Sequence, residues 1–117
     1  MTKPTAAFLP GAELPRETVD EGMTRQILGY NGQIMMVKVW FETGSQGYVH
    51  SHYHSQVTYV ESGEFEVTVG GETRTLVAGD CFFMQPNVDH GAICTKAGVL
   101  IDVFSPVRED FLEASGE

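Results

Sequence analysis

His50, His52, His54, Gln56, His90 and Asp102 are the residues of this chain whose types and spacing could do chemistry. The first three histidines stand at alternate positions, with Gln56 two residues further on, inside GSQGYVHSHYHSQVTYVESG (residues 44–63). On a β-strand alternate side chains share a face, so neighbouring members of such a series converge on one point. Imidazoles gathered in this way suit a divalent transition metal. His90 lies far along the chain in AGDCFFMQPNVDHG. Two separated histidine segments in a strand-rich chain point to a metal held between strands. A lone histidine in a strand is most simply structural, but three at alternate positions with a distant fourth are not explained that way. Asp102 is the one carboxylate in the apolar run VLIDVF, where alternation puts it on a face with Leu100 and Phe104. Read alone, it fits a carboxylate turned outward or held by a backbone amide as well as it fits a chemical role.

The elements that must position these residues are short. A chain of 117 residues, 42% hydrophobic and 20% charged, suits one domain with one core. Residues 1–20 read as an irregular arm or edge strand. Strands are predicted at 23–28, 34–41, 57–60, 64–69, 72–77, 81–84, 90–95 and 99–104, with turns at Glu61-Ser62-Gly63, Gly70-Gly71, Ala78-Gly79-Asp80 and Lys96-Ala97-Gly98. Residues 105–117 form a tail, in which Arg108 to Ala114 make a short helical turn or a docked segment. Strict alternation groups Lys38 with Met36 and Trp40, either snorkelling outward or facing a polar cavity. Closely spaced strands of this kind imply an all-β sandwich or barrel.

Composition excludes several classes of function. Sixteen acidic residues against seven basic ones give a net charge of −9 and no basic patch, so no nucleic-acid partner is expected. That charge repels anionic substrates at long range unless local positive charge or a metal reverses the field. No apolar run is long enough for a membrane span, and the start carries no sustained apolar segment, so the expected compartment is the cytoplasm. Cys81 and Cys94 form no CxxC pair and read as buried small hydrophobes.

Taken with its spacing, the histidine segment resembles the first cupin motif: Gly44, His50-Ser-His52, Gln56 and Gly63. Gly79-Asp80, Pro86 and His90 resemble the second. The resemblance implies a single-domain cupin jelly-roll β-barrel with His50, His52, Gln56 and His90 as ligands of one divalent metal (Zn, Ni, Mn, Fe or Co). His54 falls outside the motif and is expected at the rim or behind the ligands; His52 with His54 as the pair would leave Gln56 badly placed. Gln56 stands where many cupins carry Glu, which makes the site more positive and favours an anionic ligand over redox cycling. Asn87 replaces a glycine, and Cys94 stands where the motif often ends in Asn.

Met35-Met36-Val37, HSHYHSQVTYV, GEFEVTVGGE, PNVDHG and GVLIDVFSPVREDFL together resemble the KdgF family, small cupins linked to pectin and alginate breakdown. The resemblance implies opening of 4,5-unsaturated monouronates to the linear 4-deoxy-5-keto uronate, an isomerisation without a redox step. It also implies Asp102 as general acid and base and Phe104 as an apolar wall for the sugar. Arg108, just beyond, could pair with the substrate carboxylate. A homodimer is expected, since small cupins often pair through edge strands. Two other readings stay open: a metal-dependent oxygenase on the same barrel, which would consume oxygen, and a non-enzymatic sugar-binding cupin.

Overall fold

The computed structural model describes residues 2–115. Its strands are β1 (Glu17–Asp20), β2 (Met23–Tyr30), β3 (Met35–Phe41), β4 (Gln46–His50), β5 (Ser55–Val69), β6 (Glu72–Val77), β7 (Cys81–Met84) and β8 (His90–Ser105). A 3₁₀ turn at Gly11–Glu13 precedes them, and helix α1 (Glu109–Ala114) follows. All pairings are antiparallel in the order β1-β2-β3-β8-β5-β6, with β4 beside β8 and β7 beside β5. The sheet wraps into an all-β jelly-roll barrel.

Alternation builds the core. On β3 the side chains of Met35, Val37, Val39 and Phe41 point inward and are buried. Met36, Lys38 and Trp40 lie on the outer face, where Lys38 pairs with Glu61 at 3.4 Å and lies over the Trp40 ring. Phe41 meets Phe65 edge to face at 5.1 Å in a cluster with Val60, Cys94 and Leu100. Burying each such side chain contributes roughly 1.5–3 kcal/mol. Cys81, in contrast to the expectation of burial, is exposed at the start of β7, while Cys94 is fully buried.

Two predicted turns are absent. Residues 57–60 and 64–69 belong to one strand, β5, and residues 90–95 and 99–104 to another, β8. The two long strands pair from Ser55 and Ser105 to Val69 and His90, and the register slips between Val60 and Phe65. Gly63 (φ 82) and Gly98 meet at this slip, and a Cβ on Gly98 would strike the Ser62 carbonyl. The glycines bend the paired strands together rather than breaking either, and this bend carries the sheet from one layer of the barrel to the other.

The residues before β1 are mostly irregular, and the arm ends in the edge strand β1. It is tied to β2 where the Thr5 N–H donates to the Tyr30 carbonyl at 3.0 Å. The tail docks through α1, which buries Leu112 and sets Phe111 edge-on to Phe104 at 5.5 Å.

Candidate metal centre and cavity

His50 reaches the barrel interior through a slip in pairing. Gln46 pairs with Ile93 and Gly47 with Ala92, but the next pair is His50 with His90, so Tyr48 and Val49 together oppose Gly91. Gly47 and Ala92 line the cavity, whereas Gln46 and Ile93 are exposed. Simple alternation would send His50 outward with Gln46. The extra residue of this β-bulge reverses the parity and aims His50 inward beside His90. The strand alternation proposed for the three histidines is therefore corrected: only His50 lies in a strand, and His52 and His54 lie in the bend before β5.

The bend still delivers His52 to the same place. The ring nitrogens of His50, His52 and His90 available as ligands lie within 4.8 Å of one another. His50 Nδ1 contacts the Tyr48 carbonyl (2.8 Å), His52 Nδ1 the His54 carbonyl (3.1 Å) and His90 Nδ1 the Val88 carbonyl (3.0 Å). A carbonyl only accepts, so each Nδ1 is assigned the proton and each Nε2 is left as a lone pair.

Two observations fit a cation at this point. The Nε2 of His90 is buried and has no hydrogen-bond partner among the described residues. His52 Nε2 faces Gln56 Oε1 at 3.0 Å while its Nδ1 faces the His54 carbonyl. Gln56 is oriented by its own Nε2, which donates to Thr58 Oγ1 at 2.9 Å and to Asp102 Oδ1 at 3.4 Å. A neutral imidazole carries one proton and cannot satisfy both oxygens, and burial lowers the His52 pKa, so a second proton is disfavoured. A metal ion held by His52 and Gln56 would satisfy both lone pairs. Three neutral imidazoles and one amide oxygen suit a borderline divalent transition metal and do not discriminate among those named above. His90 is likewise held below the usual histidine range by burial.

Asp102 lies beyond Gln56 on β8. It keeps some accessible surface where it lines the cavity but is otherwise enclosed by protein, and burial pushes its pKa up to about 6. Hydrogen bonds from Thr58 and Gln56 and the charge of Arg108 pull the other way. Thr58 Oγ1 donates to Oδ1 at 2.7 Å, so both donors converge on that oxygen and Oδ2 remains the free one. Phe104 and Arg108 also line the cavity. Arg108 lies 5.1 Å over the Phe104 ring, and its Nε and Nη2 already bind Asp110 at 3.0 and 2.8 Å, so one edge of its fork is occupied.

His54 is not at the rim. Its ring is buried, stacked on Tyr53 at 4.1 Å, and takes no part in the three-histidine group. Its backbone carbonyl is what serves the site, by orienting His52. Two cavity-side residues escaped the sequence reading. Thr58 shares the inward face of β5 with Gln56, a signal that alternation does carry. Arg25, on β2 between Met23 and Ile27, had none.

The cavity holds about 180 Å³. Its metal end is polar, and its depth is walled by Val39, Phe41, Phe82 and Leu100. A space this small, against the few hundred Å³ or more of common ligand pockets, suits one sugar ring.

The Cupin domain family model matches residues 37–104, which spans both histidine segments and Asp102. Pectin degradation protein KdgF from Dickeya dadantii (strain 3937) is 43% identical over 102 residues, covering 86% of this chain and 93% of that protein. The chain belongs to the KdgF family of cupins. Among solved structures, KdgF from a Halomonas species superposes with a TM-score of 0.88 at 37% identity, covering 92% of this chain and all (100%) of that one. An RmlC-like cupin from Shewanella frigidimarina NCIMB 400 gives 0.90 at 52% identity, with 92% and 97% covered. No helix among the described residues of this KdgF-family cupin is long and apolar enough to cross a membrane.

Proposed function

We propose that this protein opens 4,5-unsaturated monouronates to the linear 4-deoxy-5-keto uronate. The observation that carries the reading is Asp102: a carboxyl with a raised pKa and one free oxygen, sharing a sugar-sized cavity with the histidine cluster. Family membership, and the Dickeya relative's name as a pectin degradation protein, support the substrate class. The charge distribution supports it too. Of seven basic residues in a chain of net charge −9, Arg25 and Arg108 both line this cavity, and the Arg108 fork makes it locally attractive to a carboxylate.

Asp102 Oδ2 takes the proton of the anomeric hydroxyl. The carbonyl at C1 forms as the bond from C1 to the ring oxygen breaks, leaving an enolate across C5 and C4. The same carboxyl then returns its proton to C4, which yields the ketone at C5, and no atom is gained or lost. A pKa near the working pH lets one group do both jobs. Thr58 and Gln56 fix the carboxyl by holding Oδ1. Phe104 covers the ring, and Arg108 offers its remaining N–H groups to the substrate carboxylate. A divalent ion held by His50, His52, His90 and Gln56 would supply a Lewis acid for the charge that develops on the former ring oxygen.

Absorbance of the conjugated double bond of an unsaturated monouronate reports this reaction. Native metal-loaded protein is expected to remove it well above the spontaneous rate, and metal-stripped protein to lose that acceleration. An unaccelerated native protein would sink the assignment, and oxygen uptake would then test the oxygenase reading. Two free cysteines, one exposed, fit a reducing compartment, and we place the reaction in the cytoplasm.

A homodimer completes the reading. Met36, Val103, Val57 and Phe83 are in register across four strands, beside a row of Lys38, Ile101, Tyr59 and Cys81. These two rows contain no acidic residue on a strongly acidic chain, so a second copy meets least repulsion there. Light scattering should give twice 12.9 kDa for the native protein and a monomer for Val57→Asp. A monomeric native protein at micromolar concentration would remove the dimer.

A further inference from the structure

Arg25 sits in the wall between the cavity and the barrel mouth. It is 9% exposed and projects from β2 on the inward face. Its Nε donates to Glu17 of β1 at 2.7 Å. Its Cζ lies 4.1 Å over the ring of Phe111, and the Cζ of Arg108 lies 4.2 Å over the same ring. Both guanidiniums therefore stack against the one ring of Phe111. The result is a stack that runs Glu17, Arg25, Phe111, Arg108, Asp110, with a carboxylate anchoring each guanidinium from outside.

A guanidinium has five N–H donors, and apart from Nε those of Arg25 have no hydrogen-bond partner among the described residues. These donors keep accessible surface on a residue that lines the cavity, so they are open to a ligand's acceptors. The cavity therefore presents two guanidiniums that meet at one aromatic ring. A pyranose uronate offers acceptors at matching positions: its carboxylate on C5 and, across the ring, the hydroxyls on C2 and C3.

We propose that Arg25 binds the C2 and C3 hydroxyls of the monouronate ring, while Arg108 takes the carboxylate, so that the pair sets which way round the sugar enters. This rests on the uronate reading above. Arg25 is then a specificity-determining residue: it distinguishes a hydroxylated uronate from a bare carboxylate of the same ring size. Its Nε donates to Glu17, and Phe111 stacks against both cations.

Calorimetry on metal-loaded protein tests this with two unreactive acids, galacturonate and tetrahydropyran-2-carboxylate, the second being a ring carboxylate without hydroxyls. Arg25→Met is expected to weaken galacturonate about tenfold or more and to leave tetrahydropyran-2-carboxylate within about twofold, the range for a charge-assisted hydrogen bond. Arg108→Met should weaken both. Glu17→Gln removes the charge of the ion pair but keeps a side-chain oxygen to accept from Nε, so the guanidinium stays in place and galacturonate should bind nearly as in the native protein. With unsaturated monouronate, Arg25→Met should raise KM more than it lowers kcat.

Equal weakening of both acids by Arg25→Met, or the same loss in Glu17→Gln, would reduce Arg25 to a structural clamp and overturn the proposal. So would no weakening of either acid. Native protein that accelerates ring opening while Arg25→Met shows such a pattern overturns the Arg25 proposal alone. Native protein that neither turns over the unsaturated sugar nor binds galacturonate overturns it together with the uronate reading.

Discussion

Asp102→Asn is expected to lower turnover of the unsaturated monouronate by about 10²–10⁴-fold, the usual worth of a positioned acid and base. The same change should make the metal-free protein more stable at pH 7. Asparagine keeps an oxygen to accept from Thr58 and Gln56 but carries no charge to desolvate. The folded carboxyl titrates at about 6 against 3.8 for an unperturbed one, so between these values the folded state binds more protons than the unfolded chain. Stability contributed by this group is therefore present below pH 3.8 and is lost as pH rises through 6. Relative to native, the variant gains on the order of 3 kcal/mol above about pH 6, and the gain vanishes near about pH 4.

His52, His54 and His90 act in the opposite sense. Burial lowers their pKa values, so below 6.5 the unfolded chain binds protons first and the fold weakens. Both proteins share this loss, and the difference between their urea unfolding curves isolates Asp102. A variant no more stable than native at neutral pH would mean that the carboxylate is solvated rather than enclosed. A fully active variant would remove it from the proton transfer.

Gly91→Ala should cost the metal centre about 10–100-fold in affinity, as lost positioning of a ligand commonly does. A Cβ at this position would meet the Gly47 carbonyl oxygen at 2.9 Å and the Val49 backbone at 3.0–3.1 Å. The bulge that turns His50 inward crosses directly over Gly91, and an added methyl pushes it away. Ligand distances tolerate only about ±0.2 Å, so a small displacement is felt. The metal-free fold should lose only about 1–2 kcal/mol, an ordinary overpacking cost. Competition with a chelator measures the affinity and thermal unfolding the stability. Deleting Val49 removes the extra residue and the bulge together, so regular alternation from Gly47 still carries His50 to the inner face opposite His90, and metal affinity should be largely kept. Unchanged affinity in Gly91→Ala would show that His50 tolerates a displaced bulge, and loss of the metal on deleting Val49 would show that the bulge does more than set its parity.

The residues of the candidate centre were legible because their chemistry is written in side-chain types. Imidazoles at motif spacing, a glutamine two residues on and a carboxylate amid apolar neighbours need no fold to be noticed. Alternation along β3 also sorted Met35, Val37, Val39 and Phe41 from Lys38 and Trp40, since the pleat is a local property of the backbone.

What positions those residues was not legible, because it depends on which strands become neighbours. The parity of His50 is set by one unpaired residue against β8, and β8 is supplied by a segment far along the chain. Gly63 and Gly98 signalled turns, but each bends a continuous strand because the other lies opposite it in the sheet. Arg25 looks like any surface arginine until β1 brings Glu17 and α1 brings Phe111 to it. The sequence by itself carried the residue types of the candidate centre and an all-β sandwich or barrel, which follow from composition, period and motif, while the role proposed for Asp102 rests on the family resemblance. Only the tertiary structure decided which way His50 faces, how Gln56 points and what Arg25 is free to bind, because each depends on pairings between residues distant in the chain.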